Sequence, residues 1–197
     1  MRSLSVLVMA ALIVAPCCLS QAVGNRPPAI EVSVGYLAQF SNSPPGACGC
    51  FVLQGGYADV GLPVHGRFQA VLELDGVTAG SVPEASRGLS VVTLAVGPKF
   101  RQPVGSRLSI FGQALLGAAR GFDAEFIGSG PGRDTATSFA LLAGGGVDFA
   151  LGRRLSLRPV RVDLISTRLA NGSDNAQRNV RIGGGIVFHL SDLKLRR

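Results

Sequence analysis

The chain has 197 residues, the length of one domain, and combines 47% hydrophobic residues with only 16% charged ones. Its 27 glycines and its lack of tryptophan argue against a Leu- and Ala-rich helical bundle and against an ordinary enzyme core. The formal charge of +7 is spread along the chain, and neither Arg153-Arg154 nor Lys194-Leu195-Arg196-Arg197 has the interleaved aromatics that stack bases, so nucleic acid is not the expected partner.

Residues 1–22 read as a cleaved signal peptide. Arg2 is a short positive region, Leu4 to Val14 an apolar run, and Ser20-Gln21-Ala22 supplies small residues for cleavage before Val23. The apolar run is shorter than the roughly 20 residues that span a bilayer as a helix. Pro16 ahead of Cys17 and Cys18 makes a poor lipoprotein signal. Export leaves 18 basic and 12 acidic residues, because only Arg2 departs. It also leaves Cys48 and Cys50 in an oxidising compartment, where a tight local disulfide or two surface thiols fits a C-x-C pair better than a metal site. No cofactor motif is present.

The remaining domain spans residues 23–190, and from Ile30 its strands alternate with period 2. The first strand sets Ile30, Val32, Val34, Tyr36, Ala38 and Phe40 against Glu31, Ser33, Gly35, Leu37 and Gln39. Pro44, Pro45, Gly46 and Gly49 place Cys48 and Cys50 in the loop that follows. A second strand runs from Gly55 to Leu62, a short Pro63 to Gly66 turn closes a hairpin, and a third strand starts at Phe68. The loop from Gly76 to Gly88 leads to a fourth strand, Leu89 to Arg101. Pro103 and Gly105 mark a tight turn before a fifth strand around Leu108 to Leu116, and a longer loop spans Gly121 to Asp134. The sixth strand, Ser138 to Phe149, turns at Gly152-Arg153-Arg154 into the seventh, Leu155 to Thr167.

The seventh strand carries a phase defect. Ser156 and Arg158 share one parity while Arg161 and Asp163 share the other, and a β-bulge near Pro159 restores both pairs to one side. After a loop from Leu169 to Arg178, the eighth strand alternates Val180 to Leu190, and residues 191–197 form a basic tail.

Loops after the odd strands are long and turns after the even ones short, and one face of every strand is a nearly unbroken apolar band. Together these predict a closed antiparallel eight-stranded up-and-down transmembrane β-barrel. Lipid cannot satisfy open backbone groups, so a spanning sheet must close. The inside of so small a barrel holds only its own side chains. Glu73, Asp75, Lys99, Asp148, Arg158, Asp163 and Arg181 are expected there as a paired network, with Glu31 and Arg101 nearer the rims and Arg158–Asp163 as the leading pair. Four acids and three bases describe a plug rather than an ion-selective ring.

Several stretches, taken in order, resemble the outer-membrane protein beta-barrel domain family, the OmpA-like transmembrane domains. They are Cys48-Gly49-Cys50-Phe51, Gly97-Pro98-Lys99-Phe100, Gly144-Gly145-Gly146-Val147-Asp148, Leu157 to Asp163, and Gly185-Ile186-Val187-Phe188. The resemblance implies a barrel of the bacterial outer membrane with a role in envelope integrity or adhesion, and no enzyme. Its expected partners are outer-membrane lipid, lipopolysaccharide and, during biogenesis, the barrel assembly machinery, with the protein as a monomer. The tail from Ser191 to Arg197 departs from the family, whose barrels finish on an aromatic residue; Phe188 is the nearest. The competing readings are a narrow porin-like channel, a soluble periplasmic binding barrel, and a lipid A-modifying enzyme built on His65 or His189 with Asp163 or Ser156. The runs Gly144 to Gly146 and Gly183 to Gly185 lack phosphate-loop spacing and open no helix.

Overall fold

The computed structural model describes residues 29–42, 50–81, 88–123, 135–169 and 175–190. The alternating segments form β1 (Ile30–Asn42), β2 (Cys50–His65), β3 (Phe68–Ala79), β4 (Leu89–Pro103), β5 (Leu108–Phe122), β6 (Thr135–Ala150), β7 (Leu155–Thr167) and β8 (Gln177–Leu190). Each strand pairs antiparallel with its sequence neighbours, and β1 pairs with β8 from Ile30↔Leu190 to Phe40↔Val180, so the sheet closes into a barrel. Closure removes both edges and gives every strand two hydrogen-bonding neighbours.

The outward face is apolar, with Tyr36, Leu72, Leu94, Leu116, Phe139 and Leu164 about half exposed. The inward face holds the charges. This inverts a soluble barrel, whose outside must be wet.

Several strands outrun the alternation that announces them. β2 begins at Cys50 because Asn42↔Cys50 and Ser41↔Phe51 extend the β1 ladder. β3 continues through Gly76 to Ala79 against Leu89 to Val92, and β5 reaches Phe122 against Thr135. Gly76 and Gly121 therefore lie within ladders and not in loops, because pairing on both sides holds a glycine extended despite its entropy cost. Cys50 likewise lies at the first position of β2; Cys48 and the expected signal and tail segments fall outside the described residues.

The bulge expected on the seventh strand is present. Register shifts between Arg158 and Arg161 against β8, Pro159 and Val160 both point outward, and Arg158, Arg161 and Asp163 all point inward. Proline at the bulge needs no ladder partner. Two shorter irregularities lie between Pro63 and His65 and between Val147 and Phe149.

Candidate functional site in the barrel lumen

Inward glycines make the lumen wide enough for large side chains. A Cβ on Gly144 would stand 2.2 Å from Asp163 Oδ1, and one on Gly35 would stand 2.6 Å from the Tyr57 ring. The glycine runs of β6 and β8 thus serve packing: they let Asp163, Phe111 and Leu37 lie across the neighbouring strand.

Glu73, Asp75, Lys99, Asp148, Arg158, Asp163 and Arg181 are all buried on the inward face. They divide between two levels. Near the short-turn end, Asp59 receives Lys99 Nζ at 3.2 Å and Arg158 at 3.3 Å. Arg158 Nε donates to Asp148 at 2.7 Å, and Arg101 joins Asp148 to Glu31, standing 3.1 Å from the latter. Ser33 donates to Asp59 at 3.0 Å.

Halfway along the barrel, Arg161 donates to Glu73 at 2.6 Å and to Asp163 at 2.5 Å, and Gln113 lies 3.4 Å from both carboxylates. Beside it, Arg181 donates to Asp75 and to Gln39, each at 2.8 Å, and to Thr93 at 3.2 Å. Aromatic rings separate the layers: Phe111 lies 4.2 Å beneath the Arg158 guanidinium, and Tyr57 lies 4.6 Å from that of Arg161. Cation–π contact of this kind gains strength when water is excluded.

The expected Arg158–Asp163 pair does not form. The bulge inserts Arg161 between them, so Asp163 meets Arg161 and Arg158 reaches across to Asp148 and Asp59. Asp59 and Arg161 join the seven expected residues as centres of the network. Both carried the signal, Asp59 by sharing the parity of Tyr57 and Arg161 by following the slip at Pro159.

Toward the long loops the lumen changes character. Leu53, Val77, Val91, Leu115, Leu142 and Ile165 form the centre of a buried apolar cluster, with Phe51 and Leu89 packed on it. Its residues share the inward parity of the charges, as Leu142 does with Asp148 on β6.

His189 lies at the short-turn end, its Nε2 2.8 Å from Ser156 Oγ and its Nδ1 3.3 Å from Glu31 Oε1. Carboxylate, imidazole and hydroxyl stand in the order of a hydrolytic triad. Ser156, however, is only 1% exposed, and Glu31 is shared with Arg101. His65 is exposed at the end of β2. Cys50 is an exposed thiol 3.7 Å from Asn42 Oδ1.

Comparison with solved structures follows the same geometry. Neisserial surface protein A superposes with a TM-score of 0.62 at 14% identity, covering 81% of this chain and 96% of that one. Ail, the attachment invasion locus protein of Yersinia pestis, gives 0.54 at 13% identity over 84% of this chain and all of its own. The chain has the fold of the small eight-stranded outer-membrane barrels. OprG, an outer membrane protein of Pseudomonas aeruginosa, adds a TM-score of 0.56 at 10% identity over 85% of this chain and 98% of its own. No family model matches the sequence, and no curated protein matches it.

Proposed function

We propose that this protein is an outer-membrane β-barrel of bacteria, exported through a cleaved signal peptide, OmpA-like in architecture, that serves as a structural or interaction element of the envelope. One observation carries the reading: an apolar outward face closes around a lumen filled by paired charges. Water outside such a barrel would meet Leu72, Leu94 and Leu116, whereas lipid accepts them. A soluble binding barrel is disfavoured for the same reason. Function then resides on the loops and rims, where partners reach the molecule, and the barrel holds them as a monomer in outer-membrane lipid and lipopolysaccharide after delivery by the assembly machinery.

The narrow-channel reading is opposed by side chains that span the lumen at two levels, Arg158 to Asp59 and Arg161 to Glu73, with an apolar layer above. A catalytic role for Ser156 is opposed by its burial. A fluorophosphonate probe tests that role: no label on the folded protein is expected, and labelling lost in Ser156→Ala would establish a reactive serine. Cell fractionation with heat-dependent gel migration tests the main proposal. Recovery with the outer membrane and a shifted unboiled band are expected; recovery in the soluble periplasm with identical migration would overturn it.

A further inference from the structure

The positive charge of the molecule has a place. In the lumen Glu31, Asp59, Glu73, Asp75, Asp148 and Asp163 offset Lys99, Arg101, Arg158, Arg161 and Arg181. The four long connections and their strand ends are balanced by sequence, with Arg87, Arg120, Arg133, Arg168 and Arg178 against Glu84, Asp123, Glu125, Asp134 and Asp174. At the opposite end the three short turns carry Arg67, Arg107, Arg153 and Arg154, all exposed, and among the described turn residues there is no acid. Among the described residues, the short turns thus carry the largest excess of positive charge.

These arginines sit beside exposed apolar side chains. Val64 and Phe68 flank Arg67, Val104 and Leu108 flank Arg107, and Leu151 precedes Arg153 by two residues. Phe68 packs on Phe100 with ring centroids 5.1 Å apart, an aromatic pair at this same rim. Turns so short hold the guanidinium groups within a few residues of the apolar band. On the outer-membrane reading, guanidinium groups so close to the apolar band meet lipid headgroups more closely than a polymer beyond the membrane. The Arg67 guanidinium donates to Gln102 Oε1, which holds it against the rim.

We infer that the short-turn rim is a binding surface for anionic phospholipid, recognised through the phosphodiester and net negative charge of its headgroup. The inference rests on the outer-membrane reading, in which short turns face the periplasm, and it specifies the inner leaflet as the lipid partner. Arginine suits this role because its planar fork donates two parallel hydrogen bonds to a phosphate. Basic residues at a membrane surface attract anionic lipid, with a range limited by salt. The balanced charge of the long-loop end gives that end no comparable preference.

The test is electron spin resonance on the folded protein in phosphatidylcholine membranes containing nitroxide-labelled phosphatidylglycerol or phosphatidylcholine. Phosphatidylglycerol is expected to associate about fivefold more strongly at low salt, the equivalent of one surface contact of ~1 kcal/mol. The preference is expected to fall toward parity at high salt, to vanish in R67Q/R107Q/R153Q/R154Q and to persist in R120Q/R168Q/R178Q. The two-residue variant R153Q/R154Q, with its gel shift intact, is expected to show a partial loss if the larger variant fails to fold. Equal association of both lipids with a protein that shows the folded gel shift overturns the proposal. So does a preference abolished by R120Q/R168Q/R178Q alone, or co-sedimentation with isolated cell wall that depends on the four arginines without lipid selectivity. Failure of the wild type to enter the membrane or to shift on gels instead overturns the outer-membrane reading.

Discussion

The two halves of the lumen fill the same cylinder with opposite chemistry. Toward the short turns, long charged side chains cross the barrel and meet partners on distant strands, as Arg158 on β7 meets Asp59 on β2. Toward the long loops, Leu53, Leu115, Leu142 and Ile165 pack together, and the buried polar side chains beside them, Ser41, Thr167 and Asn179, are uncharged. The charged half is the more fragile to a single change, because removing one ion leaves another buried without a partner. The apolar half loses only contact and gains a cavity.

Arg161→Met is the sharpest challenge to the charged half, since it leaves Glu73 and Asp163 buried together. A loss of about 3–5 kcal/mol is expected from the denaturant midpoint of the folded band in lipid. A cost below that of a leucine truncation would dissolve the contrast. Leu115→Ala, in the apolar half, is expected to cost about 3 kcal/mol with the gel shift retained. The same assay sharpens the argument at the pair beside Arg161: Arg181→Met should destabilise more than R181M/D75L, because the double change leaves no lone carboxylate beside Gln39 and Thr93.

Glycine substitutions probe the space that both halves share. Gly144→Ala places a methyl 2.2 Å from Asp163 Oδ1 and 2.3 Å from the Val162 carbonyl, so a loss of about 1–3 kcal/mol is expected. Gly152→Ala, in a turn with nothing within 4 Å, is expected to shift stability by less than about 0.5 kcal/mol. Equal effects would mean that the lumen is looser than its contacts imply. The smallest effect is expected from Cys50→Ser, whose exposed thiol lies beside Asn42 at a strand end.

Strand number, closure and facing were legible because lipid-facing apolar residues repeat every second position and Asp, Glu, Lys and Arg stay off that parity except at strand ends, where Arg120 and Arg178 lie. Even the β7 bulge was legible, from two polar pairs on opposite parities around Pro159. Pairing across the lumen was not. Which carboxylate Arg158 reaches depends on the stagger of strands on opposite walls, which no local pattern encodes. Strand ends were blurred for a related reason, since Gly76 and Gly121 carry turn chemistry locally and are held extended by neighbours far away in sequence. The apolar layer shares the inward parity of the charges, Leu115 with Gln113 and Leu142 with Asp148, and what the pattern did not encode is that these side chains gather toward one end.

The central claim is that this lumen is closed, and planar-bilayer conductance tests it most directly. Protein whose insertion is verified by the folded gel band is expected to give no steady current, since arginine–carboxylate layers and the apolar cluster block the path at successive levels. Steady, stepwise single-channel conductance of hydrated ions by the intact protein would contradict it.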